Sequence, residues 1–123
     1  VLLLLQVSLG AVLRHVGGAG ALHGHIMLGV IAAVLGIIVG MRTMTRYKMN
    51  RVLHKLGKVL MIHAIVVVPF GFLAWIAGGG QPHSGNVAAW QAILKTFHQL
   101  LGAMVLGLAV LLAAWSYREL EQR

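Results

Sequence analysis

Residues 25–41, HIMLGVIAAVLGIIVGM, form an apolar run whose only titratable side chain is the opening histidine. Residues 98–115, HQLLGAMVLGLAVLLAAW, form a second run that opens on the same His-x-x-Leu-Gly pattern. Apolar runs of nearly 20 residues have the length of a helix that crosses a bilayer. Two further runs, residues 1–13 and 59–77, bring the predicted number of membrane helices to four.

The composition supports a membrane protein. The 123 residues are 59% hydrophobic and only 10% charged, whereas soluble domains carry about a quarter charged residues. We therefore predict a single all-α domain, an integral membrane four-helix bundle of up-down-up-down topology built from two tandem helix hairpins. The expected spans are residues 1–16, 22–43, 56–77 and 88–117. Because the first run is short and begins at Val1, we expect further residues before it.

The ten basic residues lie near the ends of the predicted spans and set the expected orientation. Two of them, Arg14 and Lys95, lie on one side of the membrane. The other eight lie on the opposite side: Arg42, Arg46, Lys48, Arg51, Lys55, Lys58, Arg118 and Arg123. Because cytoplasmic segments are enriched in Lys and Arg, we expect both termini in the cytoplasm. The membrane would be the cytoplasmic membrane of a bacterium or archaeon or, alternatively, an organelle inner membrane.

The same charges bear on partners. The six basic residues between the second and third spans have an alternative interpretation as a patch for anionic lipid or for an acidic protein. The net charge of +8 does not indicate a nucleic-acid partner, since the charges do not form an exposed basic face interleaved with aromatic residues. The absence of cysteine excludes disulfides, iron–sulfur clusters, thiolate zinc sites and covalent c-type haem attachment.

The two halves of the chain resemble each other. Gly10 followed by residues 17–19 matches Gly71 followed by residues 78–80, with the same internal spacing. The two His-x-x-Leu-Gly pentads follow, after a longer connection in the second half. Two tandem hairpins would place the second and fourth spans diagonally across the bundle.

His25 and His98 are the candidate metal ligands. Both begin uncharged apolar runs and enter the membrane from the same side, at similar expected depth, and a histidine within a membrane needs a partner. We predict that they are opposing axial ligands of one haem b, with a second haem as an open alternative. Small neighbours on the four helices would leave room for a flat porphyrin: Gly29, Gly102, Gly10 and Gly71. The competing interpretation is that both histidines lie at the lipid headgroups and that the glycines only pack helices.

Other polar residues have weaker assignments. Arg14 and Lys95 are candidates to bind the haem propionates, although basic residues at helix ends also extend to the headgroups without any ligand. His23 competes with His25, but two positions apart on a helix they face different directions, so His23 is expected at the surface or near a propionate. His63, inside the third span, is a candidate for a quinone headgroup, a proton relay or a second haem, or it bonds a backbone carbonyl. His54 and His83 are expected in solvent.

Several of these stretches resemble the haem A synthase family. Residues 5–15, LQVSLGAVLRH, resemble the first helix of one four-helix half of that family, and His98-Gln99 matches its His-Gln usage. The resemblance implies a four-helix half with His25 and His98 as axial ligands. That family's enzymes also carry an acidic residue before the second helix and often a cysteine pair, and this chain has neither. Because those residues are missing, the resemblance implies haem binding more than the hydroxylating activity of that family's enzymes.

A second resemblance is to transmembrane di-haem cytochromes b. Residues 23–27, HGHIM, are similar to a helix of that family, and Arg42 followed by His54 resembles its next segment. Such proteins need four ligands on four helices, and the first helix here offers none at a suitable depth.

The predicted function is a b-type cytochrome subunit that transfers electrons within a respiratory or photosynthetic membrane complex, with no catalytic residue of its own. Two histidines leave the iron without an open position, which favours electron transfer over oxygen activation. Expected partners are membrane lipid and other subunits of the complex, or a second copy in a homodimer. The alternatives are a half-size enzyme like haem A synthase and a cofactor-free structural or assembly subunit.

Overall fold

The computed structural model describes residues 1–79 and 88–121. These residues form four helices and no strand: α1 (Leu2–His15), α2 (Ala19–Arg46), α3 (Arg51–Ala77) and α4 (Ala89–Glu121). The predicted class, an all-α membrane helical bundle, is confirmed. The helices α2, α3 and α4 contain 28, 27 and 33 residues, so at about 1.5 Å per residue each exceeds the roughly 30 Å of a bilayer core. All three are apolar enough to span it, whereas α1 is shorter.

The helices pack in a closed ring. Each helix contacts the next one in the chain, and α4 returns to contact α1. The helices α2 and α4 therefore lie diagonally opposite each other, as the internal repeat predicts. The contact between α2 and α3 is the most extensive of the ring, and the contact between α1 and α4 is the least extensive. Within α1, which is described over its full length, no residue is buried.

The close packing of α2 on α3 depends on two facing glycines. A Cβ at Gly40 would lie 2.6 Å from the carbonyl oxygen of Gly57, and a Cβ at Gly57 would lie 2.8 Å from that of Gly40. The two backbones therefore touch, as small residues allow between membrane helices. Next to this contact, four buried side chains of α3 and α4 form the apolar core: Leu53, Leu60, Val105 and Leu112.

The helices α2, α3 and α4 extend beyond the expected spans at one or both ends. Gly17 and Gly18 have positive φ angles of 77° and 99° in the α1–α2 turn, where the sequence predicts a turn. The side chain of Asn50 accepts hydrogen bonds from the backbone amides of Val52 and Leu53, and this N-cap starts α3 at Arg51 rather than at residue 56. Of the basic residues expected in a loop, only Lys48 lies between the helices, and the others extend α2 and α3 beyond the apolar runs.

Candidate functional site

His25 on α2 and His98 on α4 face each other across the diagonal of the bundle. Their ring centroids lie 6.1 Å apart and their planes are nearly perpendicular, at 88°. Two imidazoles that bind one metal ion from opposite sides, each with a metal–nitrogen bond of about 2 Å, have ring centres about 6 Å apart. The separation is therefore the one that two opposing ligands of a single ion require.

The glycines of α1 and α3 make room for the two rings. A Cβ at Gly10 would lie 3.0 Å from Cε1 of His25, and a Cβ at Gly71 would lie 2.7 Å from Cε1 of His98. The same glycine–histidine contact thus occurs in both hairpins. The sequence interpretation gave these glycines to a porphyrin, but the group they accommodate here is the imidazole.

The two glycines one turn beyond the histidines differ from each other. A Cβ at Gly29 would lie 2.9 Å from Nε2 of Gln6, so a side chain of α1 occupies the space beside it. A Cβ at Gly102 would have no described atom within 4 Å apart from its own helix and neighbours. The space next to Gly102 is therefore open, whereas the space next to Gly29 is filled.

Gln6 is a site residue that sequence reasoning missed. Its carboxamide Nε2 donates to the backbone carbonyl of His25 at 3.0 Å and lies 3.1 Å from Nδ1 of the same histidine. Its backbone carbonyl oxygen lies 3.2 Å from that Nδ1. The available signal was its position four residues before Gly10, which places both on one helix face.

Two buried polar atoms at this site have no hydrogen-bond partner among the described residues: Oε1 of Gln6 and Nδ1 of His98. The backbone of Val67 faces the His98 ring, but without normal hydrogen-bond geometry at Nδ1. Buried polar groups are nearly always paired, so an unpaired one marks a place where a water, an ion or a functional group belongs.

The donor set fits a haem better than a free metal ion. Within the described residues, no group of three His, Cys, Asp or Glu side chains could hold a metal, and structural and catalytic metal sites need at least three protein ligands. An iron already held by a porphyrin needs only axial ligands, and His is a common one. Two facing imidazoles, an unpaired ring nitrogen and open space beside Gly102 are consistent with that requirement.

The two cationic candidates lie at the same end of the bundle as the histidine pair. The guanidinium of Arg14 donates to Oε1 of Gln99 and, at 3.3 Å, to Oγ1 of Thr96, which ties α1 to α4. Lys95 extends towards the end of α3, where its Nζ would lie 3.3 Å from a Cβ at Gly78. Arg14 is exposed and Lys95 is half-buried.

The remaining histidines have separate positions. His23 is exposed, and its Nδ1 lies 2.7 Å from the carbonyl oxygen of Ala19 in its own helix, so His25 rather than His23 faces His98.

His63 bonds the carbonyl of Val59 within α3 at 2.9 Å. His54 was expected in solvent, but it is half-buried and bonds the Met44 carbonyl of α2 at 2.9 Å. His83 and Arg123 lie outside the described residues.

Comparison with protein-family models, with curated proteins and with solved structures finds no match to this chain. The fold and the geometry of its histidine pair therefore carry the functional argument.

Proposed function

We propose that this chain is a haem b-binding membrane cytochrome subunit that transfers electrons within a membrane redox complex. One observation carries the proposal: His25 and His98 converge from diagonal helices with their ring centroids 6.1 Å apart. A pair of imidazoles inside a membrane bundle has few other uses at that separation, because the chain's two carboxylate residues, Glu119 and Glu121, lie at the far end of α4 and cannot form a hydrolytic or proton-relay site with them.

The residues of the chain would hold and tune the group. His25 and His98 would hold the haem iron, and the bound haem would supply one-electron chemistry. Gly10 and Gly71 hold the rings in orientation, because each glycine backbone lies directly against an imidazole. An iron held by two histidines would have no open position for oxygen or another substrate, as an electron carrier requires.

The cations Arg14 and Lys95 would serve the propionates. A guanidinium offers a carboxylate two parallel hydrogen-bond donors. In the structure Arg14 donates to the uncharged side chains of Gln99 and Thr96, which a carboxylate could replace as acceptors. Positive charge near the iron also favours the reduced state, so both residues would raise the midpoint potential.

The membrane arrangement follows from the distribution of charge. With eight basic residues on one side and two on the other, the histidine pair would lie towards the non-cytoplasmic leaflet and both termini in the cytoplasm. The exposed surface of the bundle is rich in large apolar side chains, including Met27, Ile93 and Val110. Such a surface suits lipid or the membrane helices of larger subunits, which would supply the electron donor and acceptor.

The decisive experiment is a reduced-minus-oxidised spectrum of the purified protein with pyridine haemochrome analysis. We expect haem b at one per chain, and loss of most of it in His25→Ala and in His98→Ala. His23→Ala is the matched control, since His23 lies two residues from His25 but is exposed and bonded within its own helix. Normal haem content in both ligand variants would refute the assignment.

The same pigment analysis separates the alternatives. Haem O or haem A in the purified protein would favour a half-size enzyme like haem A synthase, which would need a second copy to rebuild an eight-helix form. A protein that assembles fully and has no visible absorption would favour a cofactor-free assembly subunit.

A further inference from the structure

The glycine–histidine contacts of the two halves of the site occupy corresponding positions, but one neighbouring position carries different side chains in the two halves. Gly10 and Gly71, which contact the two histidines, are 61 positions apart, and so are Gln6 and Val67. The backbone carbonyl of Gln6 lies 3.2 Å from Nδ1 of His25. The backbone of Val67 faces the ring of His98 at the corresponding position, but without normal hydrogen-bond geometry at Nδ1. Only the first half adds a carboxamide at this position.

Besides the backbone carbonyl of Gln6, which is a hydrogen-bond acceptor, the Gln6 carboxamide offers His25 a hydrogen-bond donor. A neutral imidazole carries one N–H donor and one nitrogen lone pair. When the proton is on Nδ1 of His25, that nitrogen donates to the backbone carbonyl oxygen of Gln6. The lone pair of His25 Nε2 is then free to bind a metal. When the proton is on Nε2, the lone pair of Nδ1 accepts from Nε2 of Gln6 at 3.1 Å, and His25 Nε2 cannot bind a metal.

A second contact fixes the orientation of the carboxamide. Its Nε2 also donates to the backbone carbonyl of His25 at 3.0 Å, so a half-turn would bring Oε1 against that oxygen. Oε1 of Gln6 is buried without a partner among the residues described. The carboxamide therefore presents a donor to His25, and it favours the tautomer whose Nδ1 lone pair accepts that donor, which is the metal-free form.

We infer that Gln6 is a positioning residue that controls which nitrogen of His25 carries the proton, and that it makes His25 the exchangeable ligand of the pair. The exchange of His25 as a ligand rests on the proposed haem site. The tautomer of His25, in contrast, can be measured in the protein without haem. His98 has no such carboxamide, so no side-chain donor competes for its Nδ1.

The first test uses haem-free protein in bilayers with ¹⁵N-labelled histidine. In magic-angle-spinning NMR, protonated and unprotonated ring nitrogens differ in ¹⁵N chemical shift. The His25 signals are assigned by their loss in His25→Ala. We expect both tautomers of His25 in the parent protein. In Gln6→Val, which copies the residue of the second half, the ratio should move about tenfold towards the Nδ1–H form, the effect of one net hydrogen bond.

The reciprocal variant is Val67→Gln, which should introduce the second tautomer at His98. Gln6→Met preserves side-chain length and replaces Gln6→Val if that variant does not fold. An unchanged His25 tautomer ratio in the variant that folds would overturn the inference.

The second test uses the haem-loaded protein and carbon monoxide, which binds ferrous haem only where a ligand has detached. We expect about tenfold weaker binding in Gln6→Val than in the parent protein, because the non-ligating form of His25 is no longer stabilised. Equal binding in both would contradict the inference. A protein that takes up no haem would instead overturn the proposed function, and the NMR result would still decide the role of Gln6 in setting the tautomer.

Discussion

Gly71 lies so close to His98 that a Cβ on the glycine would be 2.7 Å from Cε1 of the ring. Since real Cβ atoms do not approach other atoms that closely, the imidazole is held by the backbone of α3 and has no freedom to move towards it. Gly10 holds the same relation to His25 at 3.0 Å. Each candidate ligand is therefore oriented by the helix that precedes its own.

Gly71→Ala should displace the His98 ring. We expect a loss of stability of about 1–3 kcal/mol from overpacking, together with reduced haem content. Thermal unfolding in detergent measures the first and the absorption spectrum the second. Gly107→Ala is the control on α4, since no described atom lies within 4 Å of the added Cβ. If Gly71→Ala were as stable as Gly107→Ala, the close contact would not exist.

Gly57→Val should separate α2 from α3. Its first added atom would lie 2.8 Å from the backbone oxygen of Gly40, and a backbone cannot yield as a flexible side chain does. We expect destabilisation beyond about 4 kcal/mol, the range reserved for the most disruptive substitutions, seen as loss of folded protein on gel filtration. Gly20→Val, in open space at the start of α2, should fold and thus distinguish steric conflict from the helix propensity of valine.

Asn50→Ala should destabilise the α2–α3 connection. Asn50 caps α3, and its Nδ2 donates to Oε1 of Glu119 at 2.7 Å. We expect a loss of about 1–2 kcal/mol from the cap, with some addition from the lost bond to the carboxylate. Unfolding of the purified protein in a mild denaturing detergent measures it. Thr45→Ala removes only a hydroxyl that bonds its own helix, and a similar loss there would argue against a capping role.

Arg14→Gln should lower the midpoint potential of the bound haem. Removing a cation disfavours the reduced state, and at an effective dielectric of about 20 the change amounts to some tens of millivolts. A spectroelectrochemical titration measures it. Arg42→Gln removes a cation near the opposite end of α2 and should leave the potential nearly unchanged. Equal shifts in the two variants would remove Arg14 from the site.

The absence of native cysteine permits a direct test of orientation. Lys48→Cys places a thiol between α2 and α3, and Ala88→Cys places one just before α4. We expect a membrane-impermeant thiol reagent to label Ala88→Cys in intact cells and to label Lys48→Cys only in inverted vesicles. The reverse pattern would place the termini on the non-cytoplasmic side.

The apolar runs and the turn glycines were sufficient to predict the four helices and their ring-like order. Long uncharged runs have few alternatives to a membrane helix, and short connections make successive helices neighbours. The helix α3 begins at Arg51, before the expected span, because the apolar run ends at the basic residues whereas the helix continues through them to the Asn50 cap. The unexpected Met44–His54 bond has the same origin, because it forms between helices that extend beyond the apolar runs.

The candidate site was predictable only in part. The matched depth of His25 and His98 follows from counting residues along two helices, and the structure places the two rings near each other. The roles of Gln6 and Gln99 depend on how α1 is rotated about its axis, and periodicity is uninformative there because most residues of that helix are apolar. Which glycines contact an imidazole and which face open space depends likewise on how each of the four helices is rotated about its own axis.

The weak attachment of α1 has a consequence for assembly. With no buried residue of its own, this helix packs against the core only through half-buried side chains such as Leu3, and it is bonded to α4 through Arg14 and to α2 through Gln6. Polar contacts of this kind reform easily, whereas the touching backbones of α2 and α3 do not. A planar molecule that enters sideways from the lipid would therefore part the bundle along the α1–α4 seam and leave the other three helices together.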